Sequence, residues 1–161
     1  HNAIVHLSIQ YEKKVIRLNL PEYQFRMERK DHSKWYIFDE IRKKKVILSP
    51  EEWVRQNFIQ YLNQEHKVPL SVMVLEKELE LNGQKKRADI LVYGRDGKPF
   101  AIVECKASHV AISQDVFDQV ARYNLVLKVP YLIVTNGLEH YYSLIDFEKK
   151  NFNFLKDFPV Y

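Results

Sequence analysis

The sequence predicts an α/β (α+β) domain in which helices flank a central β-sheet, behind a β-rich N-terminal extension. Three observations support this prediction. A well-capped helix begins at Ser49, three strand-like segments follow between residues 72 and 106, and a second helical pattern precedes two further strands. Apolar residues recur with the helical period in the two helical segments and alternate in the strand-like segments. The predicted order of the core is therefore αβββαβ, with one more strand after it.

Length and composition indicate a single globular domain, residues 1–161. Of these residues 46% are hydrophobic and 29% are charged, and Cys105 is the only cysteine, which suits a protein with a sizeable core and no disulfide. No apolar run approaches the ~20 residues of a membrane helix, and no signal-peptide pattern is present, so we expect a cytoplasmic location. The net charge of +4 is compatible with a polyanionic partner. The chain begins at His1 rather than Met, so whether it is a whole protein or a fragment stays open.

The first 48 residues are interpreted as the β-rich extension, because short apolar stretches alternate there with polar ones. These stretches are Ile4–Ile9, Val15–Leu20, Trp35–Phe38 and Val46–Leu48. A run of three lysines, Lys43 to Lys45, comes just before the first helix. It has two interpretations, a solvated strand end or a contact to DNA phosphates. Residues 49–145 are predicted to form the core, and residues 146–161 a C-terminal tail.

The first helix has strong start signals. Ser49 is a favoured N-cap, Pro50 fits the first helical position, and Glu52 stands three residues after the cap, as in a capping box. Glu51 stands three residues before Val54 and therefore lies on the apolar face of the helix. Glu51 is favoured as a functional carboxylate and Glu52 as part of the cap. The alternative is that both carboxylates only stabilise the helix N-terminus through its dipole.

Two hairpins connect the next three strands. Asn82-Gly83 joins Val72–Leu81 to Lys85–Tyr93, because this dipeptide favours a two-residue hairpin turn. Arg95-Asp96-Gly97-Lys98 is a second turn signal and leads into Phe100–Lys106. The run Phe-Ala-Ile-Val in the third strand predicts a central strand that is covered on both faces.

A helix and two strands complete the core. Apolar residues at helical spacing predict a helix over Gln114–Leu127. Tyr131–Thr135 is predicted as a buried strand, and His140–Ile145 pairs with it after a turn. The last segment, Asn151–Tyr161, is aromatic and has no clear period, so it is interpreted as the tail.

The most informative feature is a set of charged residues at the ends of, or inside, apolar strands. The second hairpin brings Asp89 near Glu104 and Lys106, and the last two lie on one face because they are two residues apart. Such charges are rarely buried unless they are paired or bind a metal. Two carboxylates and an ammonium that converge are the parts of a Mg²⁺ site for phosphodiester hydrolysis. Cys105 points to the opposite face and is interpreted as a core residue rather than a nucleophile.

This arrangement resembles the PD-(D/E)xK nuclease superfamily, with Ala88 in place of the usual proline. A closer resemblance is to the N-terminal nuclease domain of type I restriction enzyme R (restriction) subunits. The stretches that carry it are P-E-E-W-V-R-Q (50–56), K-R-A-D-I (86–90), V-E-C-K-A (103–107), Q-V-A-R-Y-N (119–124) and V-T-N-G (134–137). The resemblance covers roughly residues 40 to 145. It implies a restriction-endonuclease-like core, with a central mixed β-sheet flanked by helices, and a Mg²⁺-dependent DNA endonuclease.

The resemblance also implies roles for the residues of the two hairpin strands. Asp89 and Glu104 would bind Mg²⁺, with Mn²⁺ as an alternative metal, and Cys105 would add its backbone carbonyl as a ligand. Lys106 would orient the attacking water or help to deprotonate it, and would offset charge at the phosphorus.

Helix residues receive roles from the resemblance as well. Glu51 stands four residues before Arg55, as the helix carboxylate of the type I family does, and it would act through the water shell of the metal. Gln119 and Tyr123 match a Q-x-x-x-Y pattern that borders the active site in RecB-like and type I R-subunit nucleases. The alternative is that Tyr123 belongs to the core and Gln119 to the surface.

The sequence also offers candidates for contacts to DNA and indicates possible partners. Candidates for phosphate contacts are Lys86, Arg87, Lys98, Arg122 and Lys128. None of the four glycines begins a phosphate-binding loop, so no ATPase motor is recognisable. The R subunit that the chain resembles couples such a motor to its nuclease and works with modification and specificity subunits. The chain is therefore a stand-alone relative or a fragment, or the motor and these subunits are supplied in trans. Two alternative functions stay open. One is a non-catalytic nucleic-acid-binding or assembly module on the same fold, and the other is a nuclease for branched or single-stranded DNA, or for RNA.

Overall fold

The computed structural model describes residues 15–30 and 32–161, except for the side chains of Leu81 and Tyr123. This part of the chain forms an α+β structure with two β-sheets and two α-helices. The predicted stretch Ile4–Ile9 lies outside the described residues. In the described ranges no helix combines the length and the apolar character that a membrane crossing requires.

A small antiparallel sheet comes first in the described chain. Its strands are β1 (Met27–Lys30), β2 (Lys34–Asp39) and β3 (Lys44–Ile47), and β2 is in the middle. The strands predicted at residues 35–38 and 46–48 are therefore confirmed, with shifted ends. Residues 15–20 form no strand. Their backbone bonds instead to a turn of the main sheet, where the Asn19 N–H donates to the Gly137 carbonyl at 2.8 Å.

The main sheet has six strands, in the order in which they occur along the chain. Helix α1 (Pro50–His66) and a short 3₁₀ turn (Leu70–Val72) precede it, and helix α2 (Gln114–Leu127) interrupts it. The strands are β4 (Met73–Leu81), β5 (Gln84–Tyr93), β6 (Pro99–Cys105), β7 (Tyr131–Thr135), β8 (His140–Asp146) and β9 (Asn151–Leu155). The sheet is mixed, because β6 and β7 pair in parallel while all other neighbours are antiparallel. Helix α2 is the crossover that parallel pairing requires.

Both predicted hairpin turns of the meander are confirmed. Asn82 and Gly83 have φ values of 49° and 77°, the positive angles of the turn that suits a two-residue hairpin. Gly97 has a φ of 77° in the second turn, and the Gly94 N–H donates to the Lys98 carbonyl at 2.7 Å. The C-terminal segment differs from the prediction of a tail, because β9 pairs with β8 along five residues. As an edge strand it is only partly covered, so its apolar pattern is weak.

Helices cover both faces of the central strands. Phe58 and Leu62 of α1 pack into one cluster with Val103 of β6. Val120 of α2 packs on the other face with Ile102 of β6. Strand β6 is therefore a central strand buried on both faces, as its apolar run predicts. Its last residue is Cys105, so Lys106 lies just beyond the strand rather than inside it.

Candidate active site

Asp89 lies where the hydrogen-bond ladder of the main sheet opens on both sides of β5. The β5–β6 pairs end at Ile90 and Val103, and beyond them the Asp89 Oδ2 accepts the N–H of Cys105 at 2.7 Å. On the other side, the regular β4–β5 pairing skips the position of Glu76, whose φ is 54°. A left-handed residue inside a strand is uncommon and marks a local distortion. The carboxylate of Asp89 therefore replaces a backbone partner between two strands.

Glu104 and Lys106 stand at the C-terminal end of β6. The side chain of Glu104 is 12% exposed and that of Lys106 is 33% exposed, and Nζ of the lysine is 3.7 Å from Oε1 of the glutamate. The backbone N–H of Lys106 donates to the Thr135 carbonyl at 2.8 Å, which continues the pairing with β7. Cys105 between them is buried in the cluster on the α1 side, and burial raises the pKa of its thiol well above the ordinary value. A neutral, buried thiol is a core group and not a nucleophile.

The two carboxylates repel one another electrostatically. Burial first, and then the charge of Asp89, raises the pKa of Glu104 to about 7, although Lys86 and Lys106 oppose the rise. Burial and the charge of Glu51 also raise the pKa of Asp89, against the hydrogen bond from Cys105. The ionised form of each carboxylate is therefore unfavourable by itself, and a neighbouring positive charge would stabilise it.

The two adjacent glutamates at the start of α1 have different surroundings. Glu52 is 5% exposed and its carboxylate holds the guanidinium of Arg55 at 2.5 and 2.9 Å, while its N–H donates to the cap Ser49 at 3.0 Å. Glu51 is exposed, and its charge acts on both Asp89 and Glu104. The carboxylate of Glu52 is thus committed to Arg55, while the charge of Glu51 acts on the two strand carboxylates.

Helix α2 borders Glu104 from the other side of the sheet. Val120 and Asn124 line a small pocket of about 10 Å³ together with Glu104 and Lys86. Gln119 directly precedes Val120 and is exposed. The side chain of Tyr123 lies outside the described residues. The segment that carries Q-x-x-x-Y is therefore adjacent to Glu104.

The five candidate phosphate contacts are not brought together. Lys86 acts on the charge of Glu104, and Arg87 lies beside it on β5, 4.0 Å from Glu76. Lys98 is in the turn at the opposite end of β6, about 20 Å away along the strand at ~3.3 Å per residue.

Two further candidates lie on α2. Lys128 forms the C-cap of α2 and lies three residues before Tyr131. Tyr131 pairs with Ala101, at the end of β6 opposite to Glu104, so Lys128 is also far from Glu104. Arg122 is exposed on the helix.

Arg55 is a buried arginine next to Asp89, and no role was predicted for it from the sequence. Nη1 of Arg55 is 3.9 Å from Asp89 Oδ1, and Nη2 is 3.3 Å from Glu76. Burial opposes its charge, but the hydrogen bonds and charge of Glu52 outweigh burial and raise the pKa of Arg55. The three-residue spacing between Glu52 and Arg55 is a helix-pair signal that could have indicated it.

An open cleft of about 630 Å³ lies next to this site. Its lining includes Arg55, which contacts Asp89, and Glu51, Ala107, Lys44 and His109, but not Asp89, Glu104 or Lys106 themselves. His109 is exposed there.

The donor set fits Mg²⁺, although it is small. In residues 15–30 and 32–161, no three His, Cys, Asp or Glu side chains form a group that could hold a metal by themselves. Mg²⁺ needs only one or two carboxylates and keeps several waters, and Asp89 and Glu104 supply two oxygen donors. Because both are largely buried and repel one another, a divalent cation between them would stabilise their ionised forms.

Comparisons with known proteins identify the family of this chain. The family described as type I restriction enzyme R protein N terminus matches residues 50–159. Among solved structures, the chain is similar to the fragment structure of a protein assigned as an HsdR subunit of a type I restriction enzyme from Vibrio vulnificus YJ016, with 28% sequence identity and a TM-score of 0.35. That match covers 55% of this chain and 16% of the other one. No curated protein matches the chain. Because the family match spans more than half of its length, the chain belongs to the family of type I restriction enzyme R protein N-terminal domains.

Proposed function

We propose that this domain is the Mg²⁺-dependent DNA endonuclease module of a type I restriction enzyme R subunit. The observation that carries the proposal is the convergence of Asp89, Glu104 and Lys106. Burial raises the pKa of both carboxylates, the charge of Asp89 raises that of Glu104 further, and the Lys106 ammonium lies 3.7 Å from Glu104. A domain with a purely structural role has no physical reason to retain two repelling carboxylates at this position. The order of α1, β4–β6, α2 and β7 supports assignment of a restriction-endonuclease-like core.

The proposed mechanism assigns each side chain a distinct task. Asp89 and Glu104 would hold the ion, and the Cys105 carbonyl is the candidate third protein ligand. A bound Mg²⁺ supplies polarisation of the scissile phosphate and a water of lowered pKa. Lys106, 3.7 Å from Glu104, orients the attacking water and offsets the negative charge that develops on the phosphate oxygens.

Residues on the two helices support this chemistry. Glu51 lines the cleft and would act through the water shell of a bound ion. Arg55 restrains the carboxylate of Asp89. Gln119 and Tyr123 are proposed to border the Glu104 side. The ATP-dependent motor and the specificity and modification functions are proposed to come from other parts of the protein or from other subunits, because none of the four glycines begins a phosphate-binding loop.

The test combines metal binding with cleavage. Isothermal titration of Mg²⁺ and nicking of plasmid DNA are measured for the wild type, Asp89→Asn and Lys106→Ala. Asp89→Asn retains an oxygen for the Cys105 N–H, and we expect it to lose metal binding and cleavage while its thermal unfolding is preserved. Lys106→Ala keeps the two carboxylates, so it binds metal but does not cut.

Asp96→Asn is the matched control, because this aspartate lies in the exposed turn of the same hairpin. It should behave like the wild type in both assays. Equal metal affinity in the wild type and Asp89→Asn would refute the assignment of the metal site. Metal binding by the wild type without any cleavage would favour the alternative of a non-catalytic nucleic-acid-binding or assembly module.

A further inference from the structure

The small sheet β1–β3 lies outside the residues that match the family, 50–159, yet it is tied to the start of α1 by buried polar contacts. Asp39 at the end of β2 is fully buried. Its carboxylate accepts the N–H groups of Ile41 and Arg42 at 2.8 Å, the Arg42 Nε at 2.6 Å and the Gln56 Nε2 at 2.9 Å. Because Gln56 belongs to α1, this carboxylate joins the sheet to the helix. Such charge-assisted bonds away from water hold a fixed geometry.

A chain of ion pairs continues from the sheet to the candidate active site. Arg42 bonds to Glu52, and Glu52 in turn holds Arg55. Arg55 lies 3.9 Å from Asp89. The orientation of the small sheet is therefore fixed relative to the proposed metal ligands.

This attachment places the edge strand β3 along one wall of the cleft of about 630 Å³. Lys44 and Lys45 line the cleft together with Glu51 at the start of α1. Both lysines are exposed. A ligand that lies along β3 therefore meets two cationic side chains close to Glu51, whose charge acts on Asp89 and Glu104.

Charge in the cleft favours an anionic ligand at the lysines. The carboxylate of Glu52 on the floor is committed to Arg42 and Arg55, and that of Glu76 is within 3.3 Å of Arg55. Lys45 pairs with Glu28, but its side chain is 52% exposed and that of the glutamate 40%. An exposed pair of this kind contributes little and is screened by salt, so a phosphate can replace the glutamate at small cost.

We propose that β3 forms the entry wall for DNA, with Lys44 and Lys45 contacting consecutive backbone phosphates on the way to the active site. This inference rests on the proposed nuclease function and specifies where its substrate lies. It distinguishes these two lysines from Lys98 and Lys128, which carry the same charge at the remote end of the main sheet. Phosphate contacts of this type position the nucleic acid without reading its sequence.

The test compares two double variants of the whole chain with identical changes in charge. Lys44→Glu/Lys45→Glu alters the proposed wall, and Lys98→Glu/Lys128→Glu is the matched control. Binding of a short fluorescent DNA duplex is followed by anisotropy in metal-free buffer at several salt concentrations. We expect the wall variant to bind about tenfold or more weakly at 0.1 M salt, with a salt slope reduced by about 2, since each lost phosphate contact removes ~0.9 from the slope. The control should keep the wild-type slope.

Several outcomes would overturn the inference. Equal losses in the two double variants would show that only net charge matters, and tighter binding of an RNA duplex than of DNA would exclude DNA as the preferred ligand. Circular dichroism melting verifies folding, and Lys44→Ala/Lys45→Ala replaces the charge reversal if that variant unfolds. DNA binding through the wall without Mg²⁺-dependent cutting would support the inference while refuting the nuclease. Mg²⁺-dependent cutting by the wild type, together with equal losses of DNA binding in the two double variants, would refute the inference while supporting the nuclease.

Discussion

Replacing Glu104 by glutamine should stabilise the metal-free protein at alkaline pH. Burial and the charge of Asp89 raise the pKa of Glu104 from 4.5 to about 7, so the folded state binds this proton more tightly than the unfolded state does. The associated stability is fully present below about pH 4.5 and is lost as the pH rises from there through about 7. Glutamine resembles the protonated acid in size and carries no charge, so it avoids that loss.

The expected magnitude follows from the two pKa values. A difference between 4.5 and about 7, at about 1.4 kcal/mol per pH unit, corresponds to about 3 kcal/mol at pH 8. Near pH 4 the same substitution should change the free energy of unfolding by less than about 0.5 kcal/mol, because the wild-type carboxyl is then already protonated. The gain at pH 8 comes with the loss of a proposed metal ligand, which is the usual conflict between stability and function at an active site.

Urea denaturation of the wild type and Glu104→Gln at pH 4, 6 and 8, in the presence of a chelator, measures this effect. Glu80→Gln is the matched control, because Glu80 is exposed on the edge strand β4, where such changes stay within about 0.5 kcal/mol. A stability gain that is equal at pH 4 and pH 8, or no gain at pH 8, would refute the reasoning. Added Mg²⁺ should raise the stability of the wild type and leave that of Glu104→Gln unchanged.

Two further predictions concern the support of the site. Gly137→Ala should lower the free energy of unfolding by more than about 1 kcal/mol, as measured by thermal unfolding. The φ of 84° alone accounts for about 1 kcal/mol, and the new Cβ would also stand 2.7 Å from a methyl of Leu18. Gly83→Ala, with a φ of 77° and nothing within 4 Å, should show only the backbone cost, and an equal loss at both positions would rule out the clash. Arg55→Met leaves buried carboxylates without their cation and should destabilise the protein by about 3 kcal/mol in urea at pH 7. Arg122→Met on the exposed surface of α2 should be neutral, and a similar loss there would contradict a special role for Arg55.

Local patterns in the sequence predicted most of the main sheet. The Asn82-Gly83 dipeptide predicts a hairpin because both residues tolerate positive φ, and the structure has this turn. The N-cap of α1 is confirmed as well, with the Glu52 N–H on the Ser49 Oγ. These features depend on residues that are neighbours along the chain, so their physics is visible in the sequence. The strand β9 was not predicted, because an edge strand that is partly covered has little apolar periodicity.

In the candidate site, too, features that depend on nearby residues were predictable and those that depend on distant segments were not. The hairpin between β5 and β6 is short enough that sequence spacing alone predicts the approach of Asp89 to Glu104. The favoured choice of Glu51 over Glu52 stays a prediction, and the geometry that bears on it depends on Arg42, which reaches Glu52 from a different sheet. Of the basic residues proposed from the sequence, Lys98 and Lys128 lie at the far end of the sheet, because a charge pattern does not encode position in space.

The elements of the core, the strands that carry the two carboxylates and the family of the chain are predictable from the order of its residues. The packing of the small sheet beside α1, the position of Arg55 between Glu52 and Asp89, and the presence of Lys44 and Lys45 in the cleft lining become visible only in the folded protein. The reason is the range of the interactions. Capping, turn formation and periodic burial act over a few residues, whereas the contact between Arg42 and Glu52, or between Arg55 and Asp89, exists only after distant segments have packed together.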